Sequence, residues 1–353
     1  MPTLPSKEYW EERAVRSLLE SEKTAAQHID SLALAYDRAI LNITREIESF
    51  YSKYASNNKI TLAEARKRLT PVEVISFNKQ AKVYLDEITR LGSSAFTKEY
   101  RSYLRALSGR AYVSRLQELT VNIRHQIELL STSKENDLRD VLTGTYDNIY
   151  SKSLYDIQSK VEIGVMFTLP NTRALEAIVN EKWLGSNYSE RIWQDKNSML
   201  GQLEQVLSQE FVRGRGPNVV SRDLANKLNV SYSNAKRLVR TELNYISNKA
   251  MMQSYVDSEV LDKYQYLATL DNRTSEICIE LDSKIFPLKE ATVGVNYPPM
   301  HPNCRSTTIP YFEDDEISKN IVDRIERNAE GKSVRLGRDT KLSYKEWKEL
   351  STK

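Results

Sequence analysis

The sequence predicts an α+β chain that is predominantly α: an elongated N-terminal helical arm, then a compact C-terminal α+β domain with a small sheet. Three observations lead there. Between Lys7 and about Ala55 there is neither proline nor glycine. Charged residues make up 28% of the chain and apolar ones 40%, which suits long helices with one buried stripe better than a thick core. Special residues crowd into one late segment, TLDNRTSEICIELDSKIFPLKEATVGVNYPPMHPNCRSTTIPYF (269–312), which holds both cysteines and one of the three histidines.

The first helix is read from Ala25, Ile29, Leu32, Tyr36, Ile40, Ile43, Ile47 and Phe50, which recur about every 3.6 residues. At about 1.5 Å per residue it is on the order of 70 Å long and needs a partner for its stripe. It breaks at Ser56-Asn57-Asn58-Lys59. Thr61 with Glu64, and Thr70 with Pro71 and Glu73, are two further helix starts, each a capping hydroxyl with a carboxylate three residues on. Helical pattern then runs to Arg90, over 95–107 and over 111–130. Ser133 with Asn136 and Asp137 is expected to open another helix to about Ile157.

After Val161 the texture changes. Val161–Thr168 reads as a short β-branched segment ended by Pro170, and Asn171–Trp183 as a helix. Tyr188–Val212 is a further helix, and Gly214-Arg215-Gly216-Pro217 a loop. Ser221–Leu228 and Ser231–Val256 are expected as two helices with a turn at Asn229. YQYLATL after Lys263 reads as a strand. The domains are therefore a helical arm over 1–160, a compact domain over 161–312 and a tail over 313–353. That tail runs from Glu313-Asp314-Asp315-Glu316 to a basic end with Lys332, Arg335, Arg338, Lys341, Lys345 and Lys348.

Composition excludes several classes. A net charge of +3 gives no general argument for nucleic acid, so any such surface must be local. No apolar run approaches the ~20 residues of a membrane span. The N-terminus lacks a basic region followed by an apolar one, and two cysteines make no disulfide framework. The expected compartment is a reducing cytoplasm.

Two constellations could carry chemistry. His301-Pro-Asn-Cys304 has the spacing of two ligands on one metal, and Cys278 is a candidate third. A zinc site wants a fourth ligand, and Cys-x-x-Cys spacing would place it at Ser275, a poor one. The same residues permit a metal- or thiol-dependent hydrolase or transferase, or two buried apolar thiols. A Cys278–Cys304 disulfide cannot be read from spacing alone. No phosphate loop, H-E-x-x-H or G-x-S-x-G occurs, so the enzyme reading is the lesser one and no cofactor beyond zinc is expected. Around these residues, Asp271 and Thr274 are expected to close an Asx-type turn, with Arg273 and Arg305 pairing to nearby carboxylates.

The second constellation is basic. Arg213, Arg215, Arg222, Lys227, Lys236, Arg237 and Arg240 face one acid, Asp223. The rhythm of VVSRDLANKLNVSYSNAKRLVRTE is that of a helix-turn-helix, so contact with DNA and a DNA-binding regulator are alternatives to a solvated face. Glu242 is a candidate to pair with a buried arginine. Trp183, Trp193 and Trp347 read as core anchors, and His28 and His125 as incidental helical residues.

The segments TLDNRTSEIC, LDSKIF and VNYPPMHPNCRSTTIPYF resemble the phage minor head protein family, with its Mu F-like head morphogenesis domain. WLGSNYSERIWQDKN, the Gly214–Pro217 loop and AKRLVRTELNYISNKA add to the resemblance, which covers roughly residues 165–312. Family members often carry cysteine at the position of Ser275, so Cys278, His301 and Cys304 are the residues that match. The resemblance implies a structural minor capsid protein with a portal protein and capsid or scaffold proteins as partners. It implies assembly in the host cytoplasm and a final place in the virion, inside the head. It also implies nonspecific contact with double-stranded DNA and an influence on packaging or ejection.

Overall fold

The computed structural model describes residues 6–57, 74–75, 78–91, 95–108, 113–161, 172–213, 215–312, 326–327 and 333–334. Expectations at Thr61, Thr70, 162–168, Gly214, Trp347, the acidic cluster and the basic tail lie outside them. The fold is α+β and predominantly α. In chain order it comprises α1 (Lys7–Asn57), β1 (Val74–Ile75), α2 (Asn78–Arg90), α3 (Ala95–Ser108), β2 (Val113–Ser114), α4 (Arg115–Val161), α5 (Thr172–Val179), α6 (Tyr188–Val212) and α7 (Pro217–Asp257). There follow β3 (Lys263–Leu267), α8 (Glu276–Leu281), β4 (Ile285–Pro287), a 3-10 turn (Leu288–Glu290), β5 (Thr307–Tyr311), β6 (Glu326–Arg327) and β7 (Ser333–Val334). Among the described residues no helix is long and apolar enough to cross a membrane.

Two helices are longer than the sequence suggested. α4 runs unbroken through Ser133, and α7 unbroken through Asn229. In both places the hydroxyls at the expected helix starts cap nothing and are used otherwise. Thr132 donates to the Glu128 carbonyl one turn back, and Ser133 to the Asp137 carboxylate. Ser233 donates to the Asn229 carbonyl, while Ser231 is buried and donates to Asp195. A hydroxyl bonded to its own preceding turn continues a helix instead of starting one. The buried stripe Val220, Leu224, Leu228, Ser231 and Ala235 continues through the expected turn. The two-helix unit of a DNA-binding regulator is therefore not formed at Ser221–Val256.

By contact the chain divides into two compact units. One gathers His28–Leu138 and Tyr188–Lys236, the other Met1–Gln27, Arg139–Asn187 and Arg237–Lys353. In the first unit α1 and α4 run antiparallel, since Asn42 meets Gln126, Glu46 meets Asn122 and Tyr36 meets Lys134. Along α1, Ile29, Leu32, Tyr36, Ile43, Ile47 and Phe50 are buried as the stripe requires, and Ile40 is half-buried. α6 runs antiparallel to α4, held by Lys196 on Glu128 (2.9 Å) and by Ser189 and the Trp193 indole on Glu135. A directional chain closes this core: Lys134 donates to the Tyr36 hydroxyl, that hydroxyl to Ser231, and Ser231 to Asp195. α2 and α3 pack on α4 through Ala81, Tyr84, Ile88, Tyr100, Leu104 and Val121. His125 is fully buried there, stacked on Tyr84 and bonded to Glu87 and Tyr100, so it is part of the core.

In the second unit the start of α1 meets the end of α4 through Arg13–Asp156 (3.1 Å) and Lys152–Glu20 (2.6 Å). α7 runs antiparallel to α4, with Ser254 on Ser153 and Tyr150 on Asp257. The sheet is antiparallel with order β4-β3-β5 and β3 at its centre. Tyr264, Gln265 and Tyr266 of β3 are all buried. This sheet, α8 and the intervening turns form the frame of the cysteine–histidine segment.

Candidate functional site

The segment after β3 is built of turns that close on one another. Asp271 opens the first: its side chain accepts the Arg273 N–H (2.8 Å), its own N–H goes to Thr274, and its carbonyl accepts the Thr274 N–H. Arg305 clamps the same carboxylate with two bonds of 2.6 Å, and Arg273 approaches it at 3.4 Å. The guanidinium of Arg305 and the Arg273 amide hold this carboxyl well below the usual range. The Asx turn and the arginine pairing expected from the sequence are both present.

Ser275 occupies the N-cap position of α8, yet its hydroxyl caps no helical N–H. It bonds His301 Nε2 at 2.8 Å instead. Three residues on, the buried Cys278 points inward from α8. On the other arm His301-Pro302-Asn303-Cys304 is a turn closed by the Cys304 N–H on the His301 carbonyl (3.1 Å). Pro302 supplies the fixed φ of its first corner, and Asn303 its second, at φ 60°. Asparagine tolerates that left-handed conformation where most residues do not. The turn places His301 and Cys304 on the side facing Cys278.

The three side chains meet as the sequence proposed. Cys278 Sγ lies 3.4 Å from His301 Nε2 and 3.9 Å from Cys304 Sγ, and the three candidate ligand atoms all lie within 4.8 Å of one another. Both cysteines are free thiols and buried, and His301 and Ser275 are half-buried. The Tyr266 hydroxyl donates to Cys278 (3.4 Å), and Ala268, Met300, Leu281 and Phe286 complete an apolar wall. The hydrogen bond from Cys304 draws Cys278 down to about 4, while giving that bond, together with burial, raises Cys304.

α7 holds this segment from behind, a role the sequence reading missed. From Thr241 to Asn248 every residue is buried, although Thr241, Glu242, Asn244, Ser247 and Asn248 are polar. Thr241 accepts the Asn303 N–H (3.0 Å). Asn244 and Asn248 both donate to the Ser306 carbonyl, and Tyr297 donates to the Asn248 carbonyl (2.7 Å). Glu242 takes the Trp183 indole N–H (3.0 Å). Buried polar groups need partners, so the run TELNYISN in mid-helix was the signal that an irregular backbone lies against it.

The basic residues are dispersed. Arg213 and Arg215 both reach Glu210, and Arg222 pairs with Asp223. Lys236 lies over the Tyr232 ring at 4.6 Å, while Lys227 is half-buried. Arg237 and Arg240 are exposed on the continuation of α7, within the unit that holds the sheet.

Residues 201–309 match the family described as Phage Mu protein F like protein. Over that span the chain is similar to a phage Mu F-like head morphogenesis protein. The matched span begins within α6, contains all of α7 and takes in the whole cysteine–histidine cluster. Among curated proteins, the NAD(+)–arginine ADP-ribosyltransferase EFV of Enterococcus faecalis is 22% identical over 287 residues, which cover 78% of this chain and 54% of that protein. The chain therefore spans about half the length of that relative. No solved structure matches it.

Proposed function

We propose that the chain is a minor head protein that joins the portal during procapsid assembly and ends inside the virion. The observation that carries this reading is the family match over residues 201–309, coincident with a module whose polar groups are turned on one another. Asp271, Ser275, Asn303 and Ser306 all bond within the segment or to α7. Such a module suits a fixed part of an assembly. The helical arm over 1–160 supplies contacts to portal, capsid or scaffold proteins. Arg213, Arg215, Arg222, Lys227, Lys236, Arg237 and Arg240, with the basic tail, meet packaged DNA through phosphates without reading sequence. The test is co-expression with the phage portal protein, followed by sedimentation. Co-migration with portal oligomers is expected, and independent migration at all ratios contradicts the reading.

A second reading takes its support from the enterococcal relative: transfer of ADP-ribose from NAD+ to arginine, by this chain or by a longer protein that contains it. Incubation of the purified chain with labelled NAD+ and an arginine-rich acceptor separates the two. The head-protein reading expects no label on the acceptor, and stoichiometric labelling favours the transferase. A metal- or thiol-dependent hydrolase built on Cys278, His301 and Cys304 is the weakest reading, because the two thiols are buried against Tyr266 and Met300.

A further inference from the structure

We infer that Cys278, His301 and Cys304 bind one zinc ion, with the hydroxyl of Ser275, or a water beside it, at the fourth corner. The inference is independent of the portal reading, since it rests on the geometry of four side chains.

The first argument is distance. With Zn–S near 2.3 Å and Zn–N near 2.0–2.1 Å, a tetrahedral site has S···S edges of about 3.8 Å and S···N edges of about 3.6 Å. The chain presents 3.9 Å between the two sulfurs and 3.4 Å between Cys278 Sγ and His301 Nε2. Hydrogen bonds between the thiols and the imidazole hold the same three atoms, all within 4.8 Å of one another, at separations a single ion can bridge.

The second argument is the histidine tautomer. His301 Nδ1 lies 2.9 Å from the Pro302 carbonyl oxygen. A carbonyl only accepts, so Nδ1 carries the proton and Nε2 presents its lone pair. That lone pair is directed at Cys278 and Ser275. Fixing one ring nitrogen on a backbone carbonyl, so that the other can ligate, is the usual outer support of a metal-bound histidine. Tyr266, donating to Cys278 Sγ, gives the sulfur a comparable support.

The third argument is Ser275. A serine at an N-cap normally bonds the N–H groups of the first turn. Here the hydroxyl is aimed into the cluster, one turn before Cys278, at the position where Cys-x-x-Cys spacing would place a ligand. Because it is an oxygen and half-exposed, this corner is the weak side of the site and its entrance. Two thiolates and an imidazole select zinc over magnesium or calcium, which prefer oxygen.

The test uses the full chain purified under reducing conditions. Metal analysis is expected to find about one zinc per chain. Titration of the chelator-treated protein with Co2+ is expected to give the visible bands of a tetrahedral ion together with thiolate-to-cobalt charge transfer. Wild-type protein suffices for this, so a variant that fails to fold does not decide it. Ser275→Cys is expected to tighten zinc at least about tenfold by completing a Cys3His set. Cys278→Ser is expected to abolish the charge-transfer intensity of one thiolate. The inference is overturned if folded wild-type protein binds neither zinc nor Co2+ at equimolar metal. It is also overturned if zinc affinity is unchanged in both variants, or if the protein from reducing cells carries a Cys278–Cys304 disulfide.

Discussion

Asn303 shows at the scale of one residue how the C-terminal domain is specified. Its φ of 60° lies in the left-handed region, and its N–H is held by Thr241. A β-branched side chain there costs at least about 1–2 kcal/mol. Asn303→Val is therefore expected to lower the melting temperature and Asn303→Gly to leave it nearly unchanged, as thermal denaturation can check. His125 gives a pH dependence of definite sign. Burial depresses it below its ordinary 6.5 despite the bond to Glu87, so it folds neutral. The unfolded chain binds the proton more readily, so this part of the stability is full above about pH 6.5 and is lost as pH falls below it. Denaturation midpoints measured from pH 7.5 down to about 5 should fall, and His125→Gln should flatten that slope.

At the scale of elements, the long helices were legible and their interruptions were not. The stripe on α1 was read directly, because burial follows the helical period. Tyr188–Val212 and the strand at Lys263 were equally plain. The turns proposed at Ser133 and Asn229 failed for one reason. A serine or threonine that could cap a helix can also bond the carbonyl one turn back or reach another helix, and sequence does not say which. The meeting of Cys278 with His301-Pro-Asn-Cys304 was legible from spacing. Tyr266, Thr241 and the turned Ser275 hydroxyl were not, since their roles depend on which segment α7 lies against. Glu128, fully buried between Lys196 and Arg124, supplies the prediction at this scale. Removing it alone leaves the buried Lys196 ammonium without its partner at a cost of about 3–5 kcal/mol. Glu128→Ala should show that loss in chemical denaturation, and the double replacement Glu128→Leu with Lys196→Met should recover most of it.

For the whole molecule, the Mu F-like match over residues 201–309 and the seven basic residues set what can be measured. DNA contact belongs to this scale. If all seven basic residues reach phosphates, the logarithm of the binding constant should fall with the logarithm of salt with a slope of about −6. The carboxylates beside Arg213, Arg215 and Arg222 should make it shallower. A flat dependence removes packaged DNA from the partners and leaves the protein contacts standing. The central claim, that this chain is built into a phage head, is tested most directly by quantitative mass spectrometry of purified, nuclease-treated particles from cells producing the phage. The account predicts peptides of this chain in the heads, protected from external protease and at a small fraction of the major capsid protein. Complete heads that lack the chain, with all of it left in the lysate, would contradict it.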